Sequence, residues 1–280
     1  MTPTLHLTVL ASGSKGNAAV IEGPRGSLLI DCGLSWRELT RRAESAGVDL
    51  RKVTAAILTH EHGDHCSGLD VVRRNLSCEL ITTAGTAAAS RRLLDMPFSL
   101  VRHDEAFEVC GMRVELFPTS HDVSDPFGLR LSVANEGGEP QDALGWCTDT
   151  GFLTAEALGA LRGCRILGIE ANHDTSMLAH GPYPSFLKSR VGGETGHLSN
   201  AQCAAALPQL VGEGTETVVA LHLSQKNNTP GACIRELSEA LGAQPLGPQE
   251  VSAGSLAEAR GRDGSLTICV AGQDEPLVVW

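Results

Sequence analysis

Aromatic residues are scarce in this chain: six Phe, three Trp and one Tyr among 280 residues, or 4%. That scarcity disfavours a surface that stacks a long run of bases. Basic residues are also in the minority. Lys and Arg number 22 against 33 Asp and Glu, a formal net charge of −11. A protein that coats nucleic acid by bulk charge is excluded, whereas a nuclease with a local basic rim is not. The acidity also suits a site that collects divalent cations. No Cys-x-x-Cys occurs, and the nine cysteines are odd in number and widely spaced. This excludes a disulfide framework and a Cys-ligated metal, and it is the usage of a reducing compartment. No apolar run approaches the ~20 residues of a membrane span. The opening MTPTLHLTVLASG has no charged stretch ahead of an apolar one, so no signal peptide is expected and the cytoplasm is the expected location. Repeats, low-complexity segments and long linkers are missing too, and a single domain over 1–280 is expected.

What is present is a chain with 42% apolar residues, long enough to bury a large core. Short strands are predicted at 5–11, 18–22 and 27–31, separated by Gly13/Gly16 and Gly23-Pro24. Ser35 and Glu38 read as a capping box opening a helix over 36–46, stopped by Gly47. A strand at 53–59 (VTAAILT), a helix at 84–94 and strands near 112–117, 128–134 and 144–148 follow. A helix at 153–162 leads to a strand at 165–169. A second capping box, Ser199 and Gln202, opens a helix at 200–211. A strand at 216–223 is followed by a helix starting at Thr229-Pro230, and a final strand pair spans about 265–279. Loops are expected at 135–142, 180–196 and 243–255. Strands with helices interspersed in both halves predict a layered α/β fold.

The chemistry concentrates in Thr59-His60-Glu61-His62-Gly63-Asp64-His65, directly after the apolar strand at 53–59. Imidazole and carboxylate suit Zn, Mn, Fe or Co. His60 and His62 on a turn point two rings at one ion, and Asp64 and His65 leave at another angle, toward a second. Glu61 is read not as a ligand but as pointing away or supporting a neighbouring ligand. Three later residues each follow an apolar strand: His121, Asp149 and His222. Each also reads blandly, as a loop histidine, a turn aspartate and a core histidine.

The His60-x-His62-x-Asp64-His65 motif followed by His121, Asp149 and His222 resembles the metallo-β-lactamase superfamily over essentially the whole chain. The resemblance implies an αββα sandwich, with two mixed sheets face to face and helices on the outer faces, and a two-metal site at the sheet edges. It implies that His60, His62 and His121 hold one divalent ion, that Asp64, His65 and His222 hold the other, and that Asp149 bridges. The bridging Asp resembles the nuclease and phosphodiesterase branches. The segments at 12–17, 170–174, 196–200 and 222–228 resemble the WalJ/YycJ/VicX group of bacterial DNA exonucleases, which have a proposed role in mismatch repair. No separate β-CASP insertion is visible.

The implied activity is two-metal phosphodiester hydrolysis of DNA ends, 5′ to 3′, with a bridging hydroxide as nucleophile and Asp64 among the catalytic residues. Zn and Mn both fit the donors. His197 resembles a general acid for the leaving oxygen, and a capping or packing role is its alternative. His173 is expected at phosphate or substrate, its ring oriented by Asp174, or else in a structural loop. Ser14, Lys15 and Asn17 are expected to offer N–H groups and an ammonium to phosphate, although a plain hairpin turn explains the same glycine-rich segment. Asn172 and Asn227 are expected to line the site. Of the local basic spots, Arg41-Arg42, Arg73-Arg74, Arg91-Arg92 and Lys188/Arg190, each reads first as a solvated helix face, and Lys188/Arg190 is the one best placed for a DNA backbone contact. Two alternatives stand beside this reading: a small-molecule phosphodiesterase or thioesterase on the same scaffold, and a non-catalytic metal-binding regulatory protein. Oligomeric state is not written in the sequence.

Overall fold

The computed structural model describes residues 4–135, 137–246, 258–261 and 264–279. The strands are β1 (His6–Ala11), β2 (Ala18–Gly23), β3 (Gly26–Ile30), β4 (Val53–Ile57), β5 (Glu79–Thr83), β6 (Phe98–Val101), β7 (Phe107–Val109), β8 (Met112–Pro118), β9 (Phe127–Ala134), β10 (Pro140–Cys147), β11 (Ile166–Glu170), β12 (Thr217–Leu221), β13 (Gln244–Leu246), β14 (Glu258–Arg260), β15 (Thr267–Val270) and β16 (Leu277–Val279). The helices are α1 (Trp36–Ser45), α2 (Gly63–Cys66), α3 (Leu69–Asn75), α4 (Ala84–Ala88), α5 (Arg91–Leu94), α6 (Ala155–Leu161), α7 (Thr175–His180), α8 (Ser185–Val191), α9 (Asn200–Leu210) and α10 (Pro230–Leu241). A seven-stranded sheet has the order β16-β1-β2-β3-β4-β5-β6, and a nine-stranded sheet the order β13-β14-β15-β12-β11-β10-β9-β8-β7. Both are mixed, which is the α/β architecture expected from the alternating pattern. Among the described residues no helix is long and apolar enough to cross a membrane.

The chain gathers into two compact units, one from residues 4–118, 123–143 and 273–279, the other from 119–122 and 144–272. In the first, β3, β4, β5 and β6 run parallel. Apolar residues of these strands, such as Leu29, Ala56 and Leu80, form one core with Leu39 and Ala43 of α1 and Leu69 and Val72 of α3. Burying a leucine such as Leu39 completely is worth roughly 1.5–3 kcal/mol. Ser35 Oγ accepts the Glu38 N–H at the start of α1, as predicted. The Glu38 carboxylate, however, takes Arg41 and Arg42 one turn along, so only this half of the expected box is seen. Gly47 follows α1 with φ 74°, a left-handed conformation that glycine adopts without steric cost.

In the second unit β10, β11, β12 and β15 are parallel, with α6, α9 and α10 in the crossovers. The Ser199–Gln202 capping box forms in both directions, and Thr229 Oγ1 caps α10 ahead of Pro230.

Several local expectations change. The predicted helix at 84–94 breaks into α4 and α5, because Ser90 turns out of helical geometry and caps the second piece. The segment 180–196 contains α8 rather than loop alone. The expected terminal strand pair is split. β15 pairs with β12, and β16 pairs with β1 in the other sheet. Gln273 fixes that switch by accepting the Lys15 N–H and donating to the Gly16 carbonyl. The expected loop at 243–255 begins with β13, and its remainder lies outside the described residues.

Candidate active site

Ligand sites in parallel α/β sheets lie beyond the carboxyl ends of the strands. In each unit those ends carry the residues singled out by the sequence.

In the first unit the loop after β4 holds His60, His62, Asp64 and His65, with Asp64 and His65 on the short α2. The ring centroids of His60 and His62 are 5.0 Å apart and those of His60 and His65 4.0 Å apart. An aspartate not flagged by sequence, Asp31, organises them from the end of β3. Its Oδ2 accepts the His65 Nδ1 proton at 2.8 Å, and its Oδ1 accepts the Thr59 backbone N–H at 2.8 Å. The Thr59 hydroxyl lies 2.9 Å from Asp31 Oδ2 and 3.1 Å from His60 Nδ1. Its single proton goes to the carboxylate, so Oγ1 accepts the Nδ1 proton of His60. Both rings thereby keep their Nε2 lone pairs. The Asn17 amide agrees, since its Nδ2 lies 2.9 Å from His65 Nε2 and 3.3 Å from Asp64 Oδ2. Glu61 accepts the Ser124 N–H at 2.8 Å, a contact to a backbone amide rather than to a neighbouring ligand. Gly33 is required by packing, because a Cβ there would sit 1.6 Å from the Asp64 carbonyl oxygen.

In the second unit His121, Asp149, His197 and His222 come together around a buried carboxylate, Glu170, at the end of β11. Glu170 Oε1 accepts the Nδ1 protons of His197 at 2.8 Å and His222 at 3.0 Å. Its Oε2 accepts the backbone N–H groups of Thr150 at 2.9 Å and Leu198 at 3.2 Å. Burial alone would push this carboxyl up. The His197 charge and hydrogen bond, with the hydrogen bond from His222, outweigh burial and hold it down to about 2. An ionised carboxylate only accepts, so both rings carry their proton on Nδ1. His121 donates its Nδ1 proton to the Gly196 carbonyl at 3.0 Å. Asp149 is buried, its Oδ1 3.4 Å from His222 Nδ1 and 3.8 Å from His121 Nε2. Ligand atoms of Asp149, Glu170, His197 and His222 all lie within 4.8 Å of one another. With four N–H donors on it, Glu170 orients the set rather than ligating. A crevice of about 30 Å³ opens here, lined by His121, Asp122, Arg190, Val191, Gly196 and His197.

These residues fit divalent cations. Metal-binding histidines donate the proton of the non-ligating nitrogen to a carboxylate, carbonyl or hydroxyl, and His60, His65, His121 and His222 all do so through Nδ1.

The other predicted residues are distributed as follows. Ser14 and Lys15 are exposed, and the Lys15 backbone N–H is already taken by Gln273. Asn17 is buried against Asp64 and His65. Asn172 is buried and donates to the His222 carbonyl, tying the ends of β11 and β12 together. Asn227 is fully buried, its Nδ2 donating to Ser224 Oγ. His173 is buried, which pushes its imidazole below its usual pKa, and its Nδ1 has no hydrogen-bond partner. Asp174 does not orient that ring as expected, because its side chain accepts the Met177 N–H and caps α7. Lys188 donates to the Ala179 carbonyl, and Arg190 Nε pairs with Asp122 Oδ2 at 2.6 Å.

A sequence model described as the beta-lactamase superfamily domain matches residues 27–223, a span containing every ligand candidate above. The chain belongs to the metallo-β-lactamase superfamily. Within it the chain falls in the WalJ/YycJ group. It is 30% identical over 251 residues to Exodeoxyribonuclease YycJ of Bacillus anthracis, covering 88% of this chain and 92% of that one. It is 30% identical over 255 residues to Exodeoxyribonuclease WalJ of Streptococcus pneumoniae serotype 2, covering 88% and 90%. Among solved structures, the metallo-β-lactamase fold protein YhfI from Bacillus subtilis superposes with a TM-score of 0.67 at 12% identity, over 99% of this chain and 100% of that one. A diphosphatase of the PhnP family gives 0.61 at 18% identity, over 100% and 98%. These two likenesses establish the metallo-β-lactamase fold and nothing finer. Superfamily membership and the donor set make the protein a metal-dependent hydrolase.

Proposed function

We propose that this hydrolase is a DNA exonuclease working from the 5′ end, with two divalent ions held by His60, His62, Asp64, His65, His121, Asp149 and His222. The observation that carries the reading is the carboxylate-centred cluster of Asp149, His197 and His222 on Glu170. It gives a phosphodiesterase both a metal-binding aspartate and a spare histidine. The exodeoxyribonuclease names of relatives 30% identical over 88% of the chain support DNA as the substrate.

Bound divalent cations supply an activated water and neutralise phosphoryl charge. The remaining work falls to side chains. Glu170 holds the Nδ1 proton of His197, which leaves Nε2 to carry a second proton to the leaving oxygen. The buried carboxylate stabilises the imidazolium this requires, as an aspartate does for a catalytic histidine elsewhere. The exposed Lys15 offers its ammonium to phosphate, with Ser14 beside it. Asn17 and Asn172 set the ligand loops, through Asp64/His65 and His222 respectively.

The test is digestion of linear DNA labelled at the 5′ or the 3′ end, with Mn or Zn restored to metal-stripped protein and Asp149→Ala as control. Early release of short 5′-labelled products, lost in the control, is expected. Hydrolysis of bis-p-nitrophenyl phosphate without any DNA cleavage would move the substrate to a small diester.

A further inference from the structure

α8 is a helix without a core. None of its residues is buried, yet it carries Phe186, at 74% exposure the most exposed large hydrophobic side chain among the described residues. Phe186 and Arg190 are four residues apart, so they share one face of the helix. Arg190 lines the crevice that contains His121 and His197. The helix end is locked onto the His197 loop. His197 donates its backbone N–H to the Val191 carbonyl at 2.9 Å, and a Cβ at Gly196 would lie 2.2 Å from the Arg190 carbonyl oxygen. The two charged side chains of α8 itself are both basic, Lys188 and Arg190, in a chain of net charge −11. The Arg190 guanidinium is aimed by Asp122, and its side chain stays 55% exposed.

An exposed aromatic ring one turn from an aimed guanidinium, at the rim of a phosphodiesterase crevice, is how proteins hold an unpaired nucleotide. The ring takes the base and the cation takes the phosphate. We infer that α8 is a single-strand platform, on which Phe186 stacks an unpaired base next to the scissile bond and Arg190, with Lys188, contacts the backbone. This rests on the reading of the site as a DNA exonuclease and specifies its substrate as a frayed or overhanging end.

The test is a double cycle with oligonucleotide duplexes carrying a four-nucleotide 5′ overhang, abasic at each overhang position in turn. Wild type and Phe186→Ala are compared by KM. In the wild type one abasic position should raise KM about tenfold, the loss expected for one stacked base. Phe186→Ala should raise KM similarly on the intact overhang and become indifferent to that abasic position. Phe186→Trp should restore both affinity and base dependence. Independent, additive effects, or an unchanged KM in Phe186→Ala, would overturn the platform while leaving the exonuclease standing. A wild type that degrades no DNA would overturn both.

Discussion

Glu170→Gln isolates the second unit's design, because it changes charge and hydrogen-bond polarity without changing shape. The carboxylate serves four N–H groups, two from imidazoles and two from backbone, and it is fully buried. A glutamine has one acceptor oxygen. If that oxygen keeps the Thr150 and Leu198 amides, the new NH2 group faces Nδ1 of both His197 and His222. Each ring must then move its proton to Nε2, which removes the lone pair His222 has for a metal. If the amide flips, two backbone N–H groups are left opposing an NH2. Either way about two buried donors lose the acceptor they now have, at about 1–3 kcal/mol each, so destabilisation of about 2–6 kcal/mol is expected. Loss of an orienting group costs 10- to 100-fold in metal affinity or activity. Loss of proton transfer by a misoriented His197 costs a further ~10²-fold or more. Turnover of linear DNA, whose alkoxide leaving group needs the proton, should therefore fall at least ~10³-fold on those two effects together. Thermal unfolding, chelator competition and that turnover, read on one preparation, would separate the effects. Metal affinity and turnover within about twofold of wild type would refute the assignment of Glu170 as orienting group.

Four further outcomes are expected. His197→Ala should keep its bound metal and lose at least ~100-fold in turnover; an unchanged rate would show that the ring only packs. Asp31→Asn should weaken metal binding about 10- to 100-fold by chelator competition, through loss of the acceptor for His65 Nδ1. Gly33→Ala places a methyl group against the Asp64 carbonyl and should lose metal binding, with a lowered Tm, whereas Gly63→Ala, whose Cβ meets nothing, should leave the Tm within a degree or two. All nine cysteines carry free thiols and all but Cys78 are buried. Burial raises those of Cys32 and Cys269 to about 12 and pushes Cys147, Cys203 and Cys233 up as well. At pH 8 these five stay protonated and non-nucleophilic. Native protein should therefore react with an alkylating reagent at Cys78 first, and fast labelling of the other positions before unfolding would contradict the packing.

The ligand loop at 60–65 was legible because its donors are contiguous and follow an apolar strand. His121, Asp149 and His222 were legible because each stands at the end of such a strand. Asp31 and Glu170 were not, although each ends an apolar run as well, SLLID and ILGIE. Their meaning lies in partners distant in sequence, 34 residues on for Asp31 with His65 and 52 for Glu170 with His222. The available signal was energetic. A carboxylate at the end of a wholly buried strand is too costly to desolvate without a partner, so each should have prompted a search for the donor it serves. α8 was hidden for the opposite reason. With nothing buried, it shows no apolar periodicity to read, and Gly181 with Pro182 and Pro184 disguises its start.

The backbone carries a second signature that no propensity scale reports. Among the described residues four non-glycine residues have positive φ: Asp31 at 57°, Cys110 at 53°, Asp149 at 54° and His222 at 57°. Three of the four are site residues, and each lies within two residues of the carboxyl end of a parallel strand. Such conformations cost of order 1–3 kcal/mol each. Glycine would relieve the strain and delete the donor. At two of the three the strain is tolerated because independent bonds pin the residue: Asp31 by Thr59 and His65, and His222 by Glu170 on its ring and Asn172 on its carbonyl. A left-handed turn directly after a strand swings the next side chain away from the alternating register of the sheet. That is the direction a donor must take to leave the core and meet a ligand at the strand ends. The left-handed backbone and the non-glycine residue are therefore one requirement, with side-chain chemistry overriding backbone preference at the three points where the sheets deliver their candidate donors.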